Sequence, residues 1–455
     1  MSDERVTSSR RSVLKGAAAG LAATGLASRR STARAQESTF TREATITSWG
    51  FGAEETNPMA FSRIDAFRQA FPSITLELVP EFESQKLLTG FASESVPDLV
   101  WMGRSDVASW AARGVLAPMD DLLADGRINL SEIYPAALED VKYDGKTYGF
   151  PQFMDVRALY VNLDALGEVG ADPATLNTGD WDQLAQLGAQ LVKRNGDAVE
   201  RWGFDHKMQA GWLWLWAQAN GGKLMSDDGA DVTFTDAKVV EALEWGIKAY
   251  EDQGGYQLYE SVASTWQGDE QFARGQVAMT MYENWMLGIL ARVSPTLNFK
   301  VLPVKQHGGE GLVSFTGGPA WTIPNGAKDP EAAFEFINFM AQTDTWMVGA
   351  NAVKAAREAE GAPFIPTLTG NMVADQRQID ELYTSLGGPF DEAVQLFPQL
   401  LQQSFSLPSA KSPAGAQITD SLDTDGVKPA LRGEQPAADA LEAAQQAAED
   451  AIDSL

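Results

Sequence analysis

Cysteine is absent from the 455 residues, and histidine occurs only at His206 and His307. Without thiols the chain forms no disulfide, holds no thiolate metal site or Cys nucleophile, and offers no cysteine for lipidation. Two histidines about a hundred residues apart do not make a zinc set, so both read as surface or packing residues, and no metal or other cofactor is expected. Basic residues are few, 35 against 62 acidic ones. A phosphate backbone needs a clustered cationic surface, which argues against a nucleic-acid partner. After the first 35 residues there is no apolar run of the roughly 18 residues a membrane span requires. No phosphate-cradling glycine loop, Ser nucleophile elbow or dinucleotide fingerprint occurs, so no enzyme is expected. The segment "SLDTDG" (421–426) falls short of a calcium loop, with Ser421 in place of the first Asp and Arg432 in place of the closing Glu.

The opening segment carries what export requires. Arg10 and Arg11 precede a weakly apolar stretch from Gly16 to Ala27, and Ala33, Arg34 and Ala35 supply a small-residue cleavage site. Ser9, Arg10, Arg11, Leu14 and Lys15 match a twin-arginine signal, with Val13 where the aromatic residue stands. Residues 1–35 are therefore set aside as a signal peptide, and the mature chain is expected to be soluble in the periplasm, with no lipid anchor. That segment holds seven basic and two acidic side chains, which leaves 28 basic against 60 acidic groups in the mature protein.

The mature chain alternates strand and helix signals. "EATITSW" (43–49) alternates at the two-residue period, "MAFSRIDAFRQAF" (59–71) places Phe61, Ile64, Phe67 and Phe71 at helix spacing, and "SITLELVPE" reads as the next strand. "SQKLLTGFASE" and "DVASWAARG" read as helices around the short strand "PDLVWMG". In "GDWDQLAQLGAQLV" (179–192), Asp180 and Gln183 form a capping-box pair, and Trp181, Leu184, Leu187 and Leu191 share a face. "DPEAAFEFINFMAQ" (329–342) starts with Asp329 as cap and Pro330 at the first helical position. The alanine-rich tail is a terminal helix. This is the βαβ pattern of a sheet with helices on its faces.

Tryptophan is abundant, with 13 copies. Trp110, Trp181 and Trp245 sit inside helix patterns and are assigned to the core. Trp49, Trp101, Trp212, Trp214, Trp216, Trp285 and Trp321 stand at strand ends or in clusters. An indole face stacks on the C–H face of a sugar ring while carboxylates and amides take its hydroxyls, which suits a neutral polyhydroxylated ligand. "GQVAMTMYENW" (275–285) shows the pattern: an alternating strand that ends in Glu283, Asn284 and Trp285.

The motifs "SVPDLVWMG", "GVLAPMDDL", "YDGKTYGFPQFMDVRALYVNLDAL", "GDWDQLAQLGAQL", "ANGGK", "FARGQVAMTMYENW", "FTGGPAWTIP" and "DPEAAFEFINFM" occur in the order seen in one family. Residues 43–450 resemble the extracellular solute-binding proteins of carbohydrate ABC importers, the maltose-binding-protein-like group. The resemblance implies an α/β fold of two lobes, the type II periplasmic-binding-protein fold, with a ligand cleft between lobes joined by crossing strands. Lobe one is expected at 37–154 plus 297–340, and lobe two at 155–296 plus 341–455.

Carried over by motif, the ligand-binding residues are Trp49 and Glu54 after the first strand, Trp101 and Arg104 after "PDLV", and Asp155 after "YGFP". Trp212 or Trp214 forms a second stacking wall, Glu283 and Trp285 end their strand, and Gly317 and Gly318 expose backbone amides. Where relatives place Pro-x-Arg late in the chain, this one has Thr367 in "FIPTLTG". The implied mechanism is capture of a mono- or oligosaccharide by hinge closure in a monomer and delivery to the permease subunits of an ABC importer. A polyol, a glycerol phosphate or a polyamine is the alternative solute. A glycoside hydrolase using Asp155 and Glu283 is the enzyme alternative.

Overall fold

The strand and helix signals at the start of the mature chain fold as the pattern requires. In the computed structural model, which describes residues 40–266 and 268–454, the strands Ala44–Trp49, Ile74–Val79 and Leu99–Gly103 run parallel. The helices Pro58–Ala70 and Ser84–Ala92 connect them. Pro319–Thr322 joins antiparallel to Leu99–Gly103, and Gly149–Pro151 completes a five-stranded sheet. A second, six-stranded sheet centres on Asp155–Asn162 and its antiparallel neighbour Val277–Glu283, flanked by Phe299–Leu302 and Ala198–Asp205. Thr316–Gly317 pairs with the start of Asp155–Asn162. The expected signal peptide, residues 1–35, lies outside the described residues. Among the described residues no helix is long and apolar enough to cross a membrane.

The registers decide where a site can be. Trp49, Val79 and Gly103 end parallel strands, and the antiparallel strand that begins at Pro319 pairs with Gly103 at that same edge. In the second sheet Glu283 lies opposite Arg157, Gly317 opposite Asp155, and Asp205 ends the strand parallel to Val277–Glu283. The carboxyl edges therefore collect the strand-end residues picked out in the sequence, as open α/β sheets do. The chain passes between the sheets at residues 152–154 and at Gly318. A third connection lies against the first, where Phe153 and Met154 donate their N–H groups to Thr369 and Leu368 at 3.1 Å.

Two helices match the sequence closely. Trp181–Leu191 is capped by Asp180, which accepts from the Gln183 N–H, and it buries Trp181, Leu184, Leu187 and Leu191. The Gln183 side chain accepts from Asn177 N–H at 2.8 Å, three residues before the expected partner. Pro330–Ala341 is capped by Asp329 through Ala332 N–H. Helix Pro58–Ala70 differs in one position. Phe61 is 39% exposed, and the buried face runs through Met59, Ala60, Arg63, Ile64 and Phe67. Arg63 stays buried because it donates to Gln152 and the Met340 carbonyl and stacks 3.4 Å from Trp346. The strand Val277–Glu283 is buried on both faces down to Tyr282, so its alternation of side-chain type does not mark a wet face.

The expected lobe boundaries need correction at two places. Phe299–Leu302 and Thr316–Gly317 belong to the second sheet, so the return to the first sheet begins at Pro319, not at 297. Helix Thr343–Ala359 packs on the first side, where Trp346, Met347 and Ala350 cluster with Met59. The chain begins to touch the core of the second sheet at Leu368, Met372 and Ile379, and from Phe390 onward the late helices join it, with Val394, Phe397, Ile418 and Leu441. Helix periodicity reports that a face is buried, not which sheet buries it.

Candidate ligand-binding site

Asp155 and Arg157 lie two residues apart on a strand, so both side chains emerge on one face. The Arg157 guanidinium pairs with the Asp155 carboxylate and stands 3.5 Å from the Glu283 carboxylate on the neighbouring strand. It also donates to the Phe315 carbonyl at 3.3 Å and lies 4.0 Å from the Phe315 ring. Burial pushes the Glu283 carboxyl up, Arg157 opposes that shift, and the nearby Asp155 adds to it. One cation thus serves two carboxylates at the strand ends, and Glu283 keeps lone pairs for a hydroxyl donor.

Aromatic rings frame this group. Trp212, on helix Ala210–Ala219, has its ring 5.9 Å from the Arg157 guanidinium. Trp285 is 44% exposed and meets the Tyr282 ring edge-on at 5.0 Å. Tyr282 in turn donates its hydroxyl to Asp269 and carries the Lys207 ammonium over its ring at 4.7 Å. A large indole left exposed beside paired carboxylates is the anatomy of a polar-ligand surface rather than of a core.

The structure brings Asp155, Glu283, Gly317, Trp212 and Trp285 together on the second sheet's edge. Trp49, Glu54 and Trp101 occupy the edge of the first sheet. Trp49 sits under Lys86 at 4.5 Å, Glu54 is exposed with Thr56 as its partner, and Trp101 packs against Phe51, Trp321 and Phe153.

Three expectations change. Arg104 is 1% exposed, and its donors are spent on Asp140, the Phe153 carbonyl and the Gly317 carbonyl at 3.0, 3.0 and 2.6 Å. It clasps the two crossings and leaves no fork for a ligand. The Gly317 amide donates to Asp155 at 2.6 Å, and a Cβ on Gly318 would lie 2.5 Å from the Phe153 carbonyl oxygen. The Gly317 amide is thus engaged within the protein, and Gly318 serves close packing at the crossing. Trp214, two residues beyond Trp212, is 3% exposed and lines a different cavity of about 350 Å³ with Leu224, Met225 and Phe405.

Sequence reasoning missed Arg157, Lys207 and Tyr282. The two-residue spacing in "DVR" signals Arg157, since it places the cation on the face of Asp155. Nothing in the sequence marks Lys207, because its proximity to Tyr282 depends on the parallel register of two strands whose paired residues, such as Trp202 and Val277, lie 75 positions apart in the chain.

The bacterial extracellular solute-binding protein family model matches residues 62–351, well over half of the chain. The chain belongs to that family. It is an extracellular solute-binding protein with the type II periplasmic-binding-protein fold. A binding protein of Brucella abortus is 26% identical over 293 residues, 61% of this chain and 67% of its own length. The diacetylchitobiose binding protein of Streptomyces coelicolor is 24% identical over 302 residues, 64% of this chain and 67% of its own. The lactose-binding protein of Rhizobium radiobacter is 22% identical over 269 residues, 56% and 59% of the two chains. Among solved structures, a Listeria monocytogenes substrate-binding protein in complex with cycloalternan aligns with TM-score 0.72 at 19% identity, over 90% of this chain and 99% of that one. A Thermotoga lettingae solute-binding protein bound with tagatose aligns with TM-score 0.69 at 21% identity, over 90% and 100%. At those identities the structures speak for the fold.

Proposed function

We propose that this solute-binding protein captures a neutral carbohydrate between its two lobes and presents it to the permease of an ABC importer. The observation that carries the reading is the exposed Trp285 beside the Asp155–Arg157–Glu283 group at the strand ends. An indole supplies the stacking face, and carboxylates that share a cation supply acceptors for hydroxyls. The names of the relatives, which bind lactose and diacetylchitobiose, support the same ligand class. The protein works as a monomer after export through its twin-arginine signal, without a lipid anchor.

Closure is the working step. A ligand must favour the closed form by about 5.5 kcal/mol to move the population from 1:99 to 99:1, so both edges have to contribute contacts. Trp49, Glu54 and Trp101 are assigned to the first-lobe side, and Asp155, Trp212, Glu283 and Trp285 to the second. The ligand is bound and released whole. A polyol remains a reading of the same chemistry, favoured by the match to a mannitol-binding protein of Pseudomonas aeruginosa, 28% identical over 150 residues, 32% of this chain and 33% of its own.

A thermal-shift screen of the mature protein against lactose, mannitol, mannobiose and maltotriose tests this directly. A rise in the melting midpoint with at least one is expected. Chromatography of that ligand after long incubation should return it intact. New reducing ends that vanish in Glu283→Gln would make the protein a hydrolase.

A further inference from the structure

Lys207 stands out for its backbone. Its φ is +53°, in the left-handed region where a side-chain-bearing residue is under strain. Such a conformation persists only where the surroundings over-determine it, and here they do. The Lys207 N–H donates to Asp205 at 3.2 Å, its carbonyl accepts from Gln209 N–H at 2.7 Å, and its ammonium lies 3.2 Å from the other Asp205 oxygen. The turn so formed connects the strand Ala198–Asp205 to the helix that carries Trp212.

Asp205 itself is fully buried. It also accepts from the Tyr259 hydroxyl at 2.9 Å and from the Thr280 hydroxyl at 3.4 Å. The lysine is thus fixed from below by a carboxylate and from the side by the Tyr282 ring, whose other neighbour is Trp285. Its side chain remains 16% exposed, and Glu283 lies close enough for the two charges to act on each other. An ammonium has three donors. With one directed to Asp205, the others remain beside the Tyr282 ring and Glu283.

We propose that Lys207 is a specificity-determining residue of the ligand site: its ammonium donates to a hydroxyl of a neutral solute. The inference rests on the carbohydrate reading and names the donor that holds a hydroxyl of the solute. Asp205 is matched by Lys207, while Asp155 and Glu283 share the single cation Arg157, so the Lys207 ammonium is the donor at this edge that only one carboxylate holds.

Removing Lys207 alone would strand the buried Asp205 charge, so the test uses the double variant D205N/K207Q, in which both charges go together. Calorimetry is run on parent and variant with lactose, mannitol, mannobiose, maltotriose and spermidine, and the melting midpoint of each protein is recorded. The parent should bind at least one neutral probe and ignore spermidine. The variant should bind that probe about 10- to 150-fold more weakly, the loss expected for one hydrogen bond from a charged donor, with a melting midpoint near that of the parent. A variant that binds the neutral probe as the parent does overturns the role of Lys207 and leaves the carbohydrate reading standing. A parent that binds spermidine, or none of the neutral probes, overturns the carbohydrate reading, and the role of Lys207 falls with it.

Discussion

Arg104 and Asp140 form a buried ion pair, Nε to carboxylate at 3.0 Å, with side chains 1% and 4% exposed. The same guanidinium holds the carbonyls of Phe153 and Gly317, one on each crossing, so a charge that the sequence offers to a ligand is used to fix the joint between the lobes. Burial pushes the Asp140 carboxyl up, and Arg104 is the main influence opposing it. Taking away one partner of such a pair costs about 3–5 kcal/mol, because the other is left uncompensated in the interior. Arg104→Met is therefore expected to lower the unfolding free energy, measured by urea titration, by that amount. A variant as stable as the parent would show that the clasp contributes nothing.

Gly318 gives a second handle on the same joint. Its φ of +138° is costly for any side chain, and an added Cβ would lie 2.5 Å from the Phe153 carbonyl oxygen and 2.6 Å from the Arg104 guanidinium. Gly318→Ala should lower stability by roughly 1–3 kcal/mol. Gly317→Ala meets Asp155 at 3.0 Å without a strained φ, so it should cost less. Melting both variants side by side gives the order, and a reversed order would mean that the crossing relaxes around Gly318.

Much of the fold was legible because its signals are local. The cap Asp180, the apolar face of Trp181, Leu184, Leu187 and Leu191, and the turn at Asp329–Pro330 each fix a helix within a few residues. The strand end that leads into Glu283 and Trp285 was legible for the same reason, whereas Asp155 was reached only through the motif resemblance. What could not be read depends on partners distant in the chain. Arg104 reads as a free cation until Asp140 and the two crossings are folded around it. Phe61 reads as core until Arg63 takes the buried position through Gln152 and Trp346. Trp212 and Trp214 are equivalent in the sequence, yet one faces Arg157 and the other a separate cavity.

A buried acid links stability to pH. Asp375 is 2% exposed and accepts from Thr369 N–H at 2.8 Å, the Thr369 hydroxyl at 2.7 Å and the Tyr134 hydroxyl at 3.1 Å. Among the described residues no cation pairs with it, and burial raises its carboxyl to about 7. An unfolded aspartate titrates near 3.9. The folded state therefore holds this proton more tightly. Its contribution is fully present below about pH 4, declines as pH rises toward 7, and is lost above that. Parent minus Asp375→Asn stability, measured by urea unfolding from pH 4 to 8, should fall by a few kcal/mol over this window. A difference that stays flat would show that Asp375 is ionised throughout.

Trp285 and Trp181 test where the ligand sits. Trp285 is 44% exposed and touches Tyr282 with its edge, so cutting it to Ala removes little packing. If a sugar ring stacks on its free face, Trp285→Ala loses the contact of a buried aromatic side chain, about 1.5–3 kcal/mol, which is roughly 10- to 150-fold in affinity. Trp181 is 2% exposed, with Trp245 and His307 rings 4.6 and 4.4 Å away and Trp216 at 5.6 Å. Its removal leaves a cavity that three rings cannot fill, so Trp181→Ala should cost roughly 3–5 kcal/mol of stability. Calorimetry with a bound carbohydrate and urea unfolding on both variants are expected to give opposite results: affinity lost and stability kept for Trp285, stability lost for Trp181. A Trp285→Ala protein that binds as tightly as the parent would move the stacking wall elsewhere, and the half-buried Trp101 on the first sheet's edge would be the next residue to cut.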